Sequence, residues 1–249
     1  PGIWQTEPYI TYEDYYTRKI GSTDIRPEFI NSLELNYRNS FEGGHSISFG
    51  GFYRHRKDVV DWVREAYEPG VTLDRNVNAG RQIEWGLEFS GVAKTTRWWT
   101  TTLNGSLFQY DFKAQHIGCT DADGFTYQLG WINSLSLGKD SRIQFDGHFI
   151  GPKSLTQGKE HGYVYFNLAF RQQFMKGKLA FAAVANDVFH TAKYYNRRTT
   201  IGLNSETWVR PKYPNIVFSL SKVSDAITDK TVYTAHVKTH GTLGRDEQA

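Results

Sequence analysis

Cysteine is all but missing from these 249 residues: Cys119 stands alone, so the chain can form neither an intramolecular disulfide nor a cysteine-based zinc site. Proline is scarce at 7, charged residues make up only 22%, and the net charge is a mild +3. The basic residues are dispersed rather than gathered in a stripe, which removes the electrostatic footprint of nucleic-acid binding. No stretch comes near the roughly 18 apolar residues of a spanning helix, so helical membrane insertion is excluded. The sequence also lacks a G-x-S-x-G nucleophile motif, an H-E-x-x-H metal motif and a glycine loop placed to cradle phosphate. No catalytic, cofactor or metal residue is assigned, and the chain is read as a non-enzyme. It starts at Pro1 with no Met, no charged leader and no apolar leader, so a secretion signal is expected upstream.

What is abundant is aromatic surface, with 15 Tyr, 16 Phe and 7 Trp, far too much for a disordered chain. It is arranged with a period of two. One face of 29–38 collects Phe29, Leu33, Leu35 and Tyr37, and the other Ser32, Glu34, Asn36 and Arg38. The pattern returns with Ile83, Trp85, Leu87 and Phe89, with Phe125, Tyr127, Leu129 and Trp131, and with Val164, Phe166, Leu168 and Phe170. A negative mean hydropathy does not count against a membrane protein of this kind, because only alternate residues of a barrel strand meet lipid.

Short polar turns at 42–45, 94–97, 138–141 and 176–178 alternate with long connections near 17–27, 57–77, 114–124, 151–161 and 190–212. Tight turns on one side and large loops on the other are the pattern of an up-and-down barrel in an outer membrane. The expected fold class is therefore all-β: an antiparallel transmembrane β-barrel segment of about ten strands over 1–223, with a tail of uncertain structure over 224–249. The strands are expected near 8–16, 28–41, 45–56, 78–94, 97–113, 125–138, 141–150, 162–175, 178–189 and 213–223. An even number puts both ends of the array on the short-turn side. Strand-end aromatics such as Tyr9, Tyr12, Trp62, Trp98, Trp99 and Trp208 fit interfacial girdles better than a soluble sandwich.

Several stretches carry a family resemblance. Ile25-Arg26-Pro27-Glu28 leading into Glu34-Leu35-Asn36-Tyr37, the close Gly51-Phe52-Tyr53-Arg54, and Asn78-Ala79-Gly80 followed by Trp85-Gly86-Leu87-Glu88 recur in order. Phe170 to Leu179 and then Asn186-Asp187-Val188-Phe189 follow them. Together they resemble the C-terminal barrel of TonB-dependent outer-membrane receptors of the Bacteroidetes type, across about 1–223. The resemblance implies a larger barrel of about 22 strands in a Gram-negative outer membrane, with a plug upstream. It also implies nutrient uptake energised through a periplasmic partner that engages a segment before the plug, and contacts with lipid and with a surface lipoprotein or other subunits. Receptors of this kind end close to the last strand, whereas 27 residues follow Lys222 here. Alternatives are a self-contained small pore or adhesin-like barrel and, because Asp146 and His148 share one polar face, a barrel enzyme.

The lumen-facing candidates are Glu34, Asn36, Arg38, Gln82, Glu84, Glu88, Gln144, Asp146, His148, Asn167, Arg171 and Gln173. The candidate ligand-contacting loop holds Tyr194, Tyr195, Arg197 and Arg198, because binding residues concentrate on loops. Asp121-Ala122-Asp123-Gly124 opens like a calcium loop but lacks the closing Glu, and is read as a turn.

Overall fold

Side chains that alternate between apolar and polar favour strands whose two faces meet different surroundings, and strands account for most of the described residues. The computed structural model describes residues 2–200, 202–211 and 215–222, so the tail at 224–249 lies outside the described residues. The one-turn helix α1 (Ile3–Thr6) is followed by β1 (Thr11–Tyr12), β2 (Thr17–Ile20), β3 (Phe29–Ser40), β4 (Ser46–Glu68), β5 (Val71–Lys94), β6 (Trp99–Ala114) and β7 (Ala122–Leu137), with short 3-10 turns at Glu42–Gly44 and Met175–Gly177. Then come β8 (Ser141–Ile150), β9 (Lys153–Leu155), β10 (Gly158–Glu160), β11 (Tyr163–Phe174), β12 (Leu179–Asn186), β13 (Tyr194–Thr200), β14 (Leu203–Val209) and β15 (Asn215–Lys222).

The main sheet runs β3-β4-β5-β6-β7-β8-β11-β12-β15 as an antiparallel meander. Its register sorts the side chains. Leu33 lies opposite Tyr53, then Trp85, Gln109 and Phe125, while Glu34 lies opposite Phe52, then Gly86, Phe108 and Thr126. Opposed residues share a face, so the two rows belong to opposite sides of one sheet. The first face is left uncovered, with Leu33 at 73%, Leu35 at 80% and Leu87 at 59% exposure. Trp85 and Trp131 are exposed with them. Leu129 is half-buried, since it leans over Gly105, where a Cβ would meet its Cδ2 at 2.5 Å. An apolar face of this extent is not left to water.

The core lies elsewhere. β4 and β5 run to 23 and 24 residues, well past the roughly 9–11 that cross a bilayer, and join through Pro69-Gly70 with Gly70 at φ 76. Register shifts between Arg56 and Val60 break the alternation. Asp58, at φ 53, sits within that irregularity. Above it, Val59, Val63, Val77 and Ala79 pack with Phe112, Cys119 and Ala122 into a buried cluster. Among the described residues the rest of the sheet has no such core, since one of its faces is an exposed apolar band and the other is polar.

Four expectations need correction. Segment 8–16 is not a crossing strand: β1 pairs only with β2, and β2 pairs in parallel with β5, opposite 72–75, where β6 has already ended. Its tyrosines are therefore not an interfacial girdle; Trp4 instead stacks on Trp62 of the projecting hairpin. Region 57–77 is a strand continuation rather than a loop. Finally, the crossing array begins with β3 at the long-connection end and closes with β15 at the short-turn end, so its two ends lie on opposite sides.

Candidate functional site

The polar face of the main sheet forms the first part of the site. The strand register puts Glu34, Asn36, Arg38, Gln82, Glu84, Glu88, Gln144, Asp146, His148, Asn167, Arg171 and Gln173 on that one face. Arg54 bonds Glu34 at 2.9 Å and lies 3.8 Å from Glu88. Gln82 donates to Glu84 at 2.8 Å, and Arg56 bonds Glu28 at 2.6 Å. A groove of about 590 Å³ runs along this face past Asn36, Arg38, Glu88, Asn104, Gln128 and His148, with Phe49, Phe89 and Leu129 also in its lining.

Asp146 is buried in the same face. Its Oδ2 accepts from Asn167 Nδ2 at 2.7 Å and lies 2.9 Å from His148 Nε2, while Oδ1 accepts from Gln144 Nε2 at 3.1 Å. A carboxylate only accepts, so this His148 nitrogen carries the proton. The ring stacks on Tyr165 with centroids 4.7 Å apart. Strand alternation explains the grouping, since Gln144, Asp146 and His148 are successive residues on one face and Asn167 lies directly opposite Asp146. The set orients His148 and ties two strands together.

The second part is built by the long connections. Hairpins β9–β10 and β13–β14 combine into a separate four-stranded sheet in the order β14-β13-β10-β9. Gln157, in the tight turn between β9 and β10, fastens it to the projecting hairpin through the main chain of Arg64 and to Gly118. Thr156 donates to Asp61 at 2.9 Å, and the Ser154 amide donates to the Tyr110 hydroxyl at 2.6 Å.

The four residues of the candidate ligand loop do not act together, because β13 alternates. Tyr194 and Arg198 share one face, where Tyr194 donates to Glu160 at 3.0 Å and burial pushes its hydroxyl pKa up. Tyr195 and Arg197 share the other. There Tyr195 packs on Trp208 with ring centroids 4.0 Å apart, and Arg197 bonds Glu206 at 2.9 and 2.6 Å. The guanidinium holds the Glu206 carboxyl below its ordinary value. A recess of about 610 Å³ lies between this sheet and the 120–123 segment. Asp121 is a turn residue, accepting from the Ala114 amide at 2.8 Å, and Asp123 continues into β7. Among the described residues no three His, Cys, Asp or Glu side chains are placed to hold one metal ion.

Sequence reasoning missed Gln157, Thr156 and Tyr110. Gly158 after Gln157 was a readable turn signal, but no local pattern reveals a partner 93 residues away.

The exposed apolar band, the polar opposite face, and short turns at one end with built-up connections at the other agree with what matches the sequence. A family model described as outer membrane protein beta-barrel family matches residues 1–221. The chain belongs to the outer membrane protein β-barrel family. No curated protein and no solved structure matches it. As a member of that family the chain resides in the bacterial outer membrane, and its apolar face is the lipid face. The family's short turns are periplasmic, which makes the β9–β10–β13–β14 sheet extracellular.

Proposed function

We propose that the chain forms part of the barrel of an energised outer-membrane receptor that imports a scarce nutrient, with no catalytic step of its own. The observation that carries this reading is the open sheet. Among the described residues β3 pairs only with β4, and β15 only with β12. Unpaired amides and carbonyls cannot face hydrocarbon, so each edge needs a further strand from a larger barrel. The order of motifs along the chain supports the same reading, and so does the large extracellular assembly, since capture surfaces are built on outer loops. In this reading the polar face lines the barrel interior, and energy arrives from a periplasmic partner that engages a different part of the receptor.

Two measurements on the receptor test the proposal. Deleting its gene and inactivating the inner-membrane energy-transducing complex should produce the same growth defect when one nutrient is limiting. A defect on deleting the gene with none on inactivating the complex would reject energised uptake. Stable single-channel conductance from the purified 249-residue chain in planar bilayers would reject the larger barrel and favour a self-contained pore.

A further inference from the structure

The polar face is not uniformly charged. Its positions nearest the periplasmic turns carry Arg38, Lys94, Arg142 and Arg171, whereas Glu34, Glu84, Glu88 and Asp146 lie further along their strands. At one place two of these cations meet. Arg142 of β8 is the direct cross-strand partner of Arg171 of β11. Such pairs have Cβ atoms about 5 Å apart, and like charges in that relation are destabilising.

Some arginines elsewhere are neutralised, as Arg54 with Glu34, Arg56 with Glu28 and Arg64 with Asp74, while Arg38, Arg81 and Arg97 have no ion-pair partner among the described residues. Neither Arg142 nor Arg171 has an ion-pair or hydrogen-bond partner for its side chain among the described residues. Their neighbours in the same cross-strand row are small: Ser136 opposite Arg142 and Ala182 opposite Arg171. The row therefore leaves the guanidinium groups room. They line a recess of about 130 Å³ together with Lys139, Ser136 and Gln173, and the Asp140 carboxylate on the rim bonds neither arginine.

We infer that Arg142 and Arg171 form a binding site for a small oxyanion, a phosphate or carboxylate group, at the periplasmic end of the barrel's inner face. The repulsion between the two cations is relieved when the anion sits between them. Each guanidinium offers a planar fork that suits two oxygens at once, and Lys139 adds a third positive charge at the rim. The inner face excludes lipid phosphate as the source. This inference rests on the family's orientation of the sheet and not on the energised-receptor reading.

The test uses the full protein, purified in detergent, with its thermal unfolding followed by tryptophan fluorescence. Inorganic phosphate or acetate is added while ionic strength is held constant with chloride. Phosphate should raise the midpoint along a saturating curve, as for a ligand that binds only the folded state. A matching rise with acetate would place carboxylates in the same site, and a rise with phosphate alone would restrict it to phosphate. In Arg142→Gln and Arg171→Gln the apparent affinity should fall about tenfold, the effect of losing one charge-assisted hydrogen bond. Arg142→Lys should fall between, because it keeps the charge and loses the fork. Folding of the Gln variants is not at risk, since each relieves the like-charge contact, and their midpoints without phosphate should equal or exceed the parent's. Identical responses to phosphate and chloride, or unchanged phosphate titrations in both Gln variants, would overturn the site.

Discussion

Gln157 and Arg64 are joined by two hydrogen bonds that imitate strand pairing. Gln157 Oε1 accepts the Arg64 amide at 2.9 Å, and its Nε2 donates to the Arg64 carbonyl at 3.1 Å. The same Nε2 donates to the Gly118 carbonyl at 2.9 Å, and the side chain is 4% exposed. One amide thus holds three extracellular segments: the projecting β4–β5 hairpin, the β6–β7 connection and the β9–β10 hairpin.

Replacing Gln157 with Ala should therefore loosen the extracellular assembly and leave the membrane sheet intact. It leaves half-buried main-chain groups of Arg64 and Gly118 without these partners, at a cost of up to about 1–3 kcal/mol. Limited proteolysis of the intact protein should cut faster within 115–121 and 151–161, with the global unfolding midpoint little changed. Equal cutting rates in the two proteins would show that the contact contributes nothing.

The membrane part of the fold was legible because a strand between lipid and a polar interior must alternate. Leu33, Leu35, Trp85 and Leu87 on one face and Glu34, Glu84 and Glu88 on the other gave the register directly. Above the bilayer that constraint disappears. Val59, Val60, Trp62 and Val63 do not alternate, since the irregularity around Asp58 shifts the register and the core above it is shared with loops from elsewhere. The run was read as a loop for that reason, although Pro69-Gly70 marked a tight hairpin turn. Tyr9 and Tyr12 mislead in the opposite sense, because interfacial aromatics and aromatics of an extracellular strap look alike in sequence. Tyr194, Tyr195, Arg197 and Arg198 looked like one site until β13 placed them alternately on two faces.

The sidedness of the sheet predicts an asymmetric response to charge. Leu87 faces lipid and Ser106 faces the interior, in cross-strand rows one residue apart. Leu87→Arg should cost about 2–4 kcal/mol in a vesicle-based folding titration if it lies near the bilayer midplane. Ser106→Arg, placed beside Glu88, should cost far less. Equal penalties would show that the two faces do not meet different surroundings, and a larger penalty for Ser106→Arg would mean that they had been exchanged.

Cys119 should resist thiol reagents at neutral pH. Burial pushes its thiol up to about 11, with the Asp61 carboxylate adding to the effect, and only the thiolate reacts. The sign for stability follows: a pKa raised in the folded state gives a contribution that is complete below the ordinary thiol value. It is lost as pH climbs from there to about 11. Maleimide labelling should be slow at pH 7 and should accelerate in Gln157→Ala, which opens the segment that covers the cysteine. Rapid labelling of the parent protein at pH 7 would contradict the burial.

The Asp146 cluster should couple the barrel wall to the extracellular surface. Asp146 holds Asn167 Nδ2 at 2.7 Å, Asn167 Oδ1 accepts the Asp187 amide at 3.1 Å, and Asp187 in turn accepts the amides of Thr191 at 2.8 Å and Ala192 at 3.1 Å. The chain of bonds leads from the interior wall to the segment that launches β13. Asp146→Ala leaves Gln144, His148 and Asn167 without their shared acceptor, at a cost of about 1–3 kcal/mol, and frees Asn167 to turn away from Asp187. Asp146→Asn keeps one acceptor oxygen and should be milder. Hydrogen exchange followed by mass spectrometry should then show faster exchange at 187–193 in Asp146→Ala, although those residues do not touch the substitution. If exchange rises only within β8 and β11, the cluster staples two strands and positions nothing beyond them.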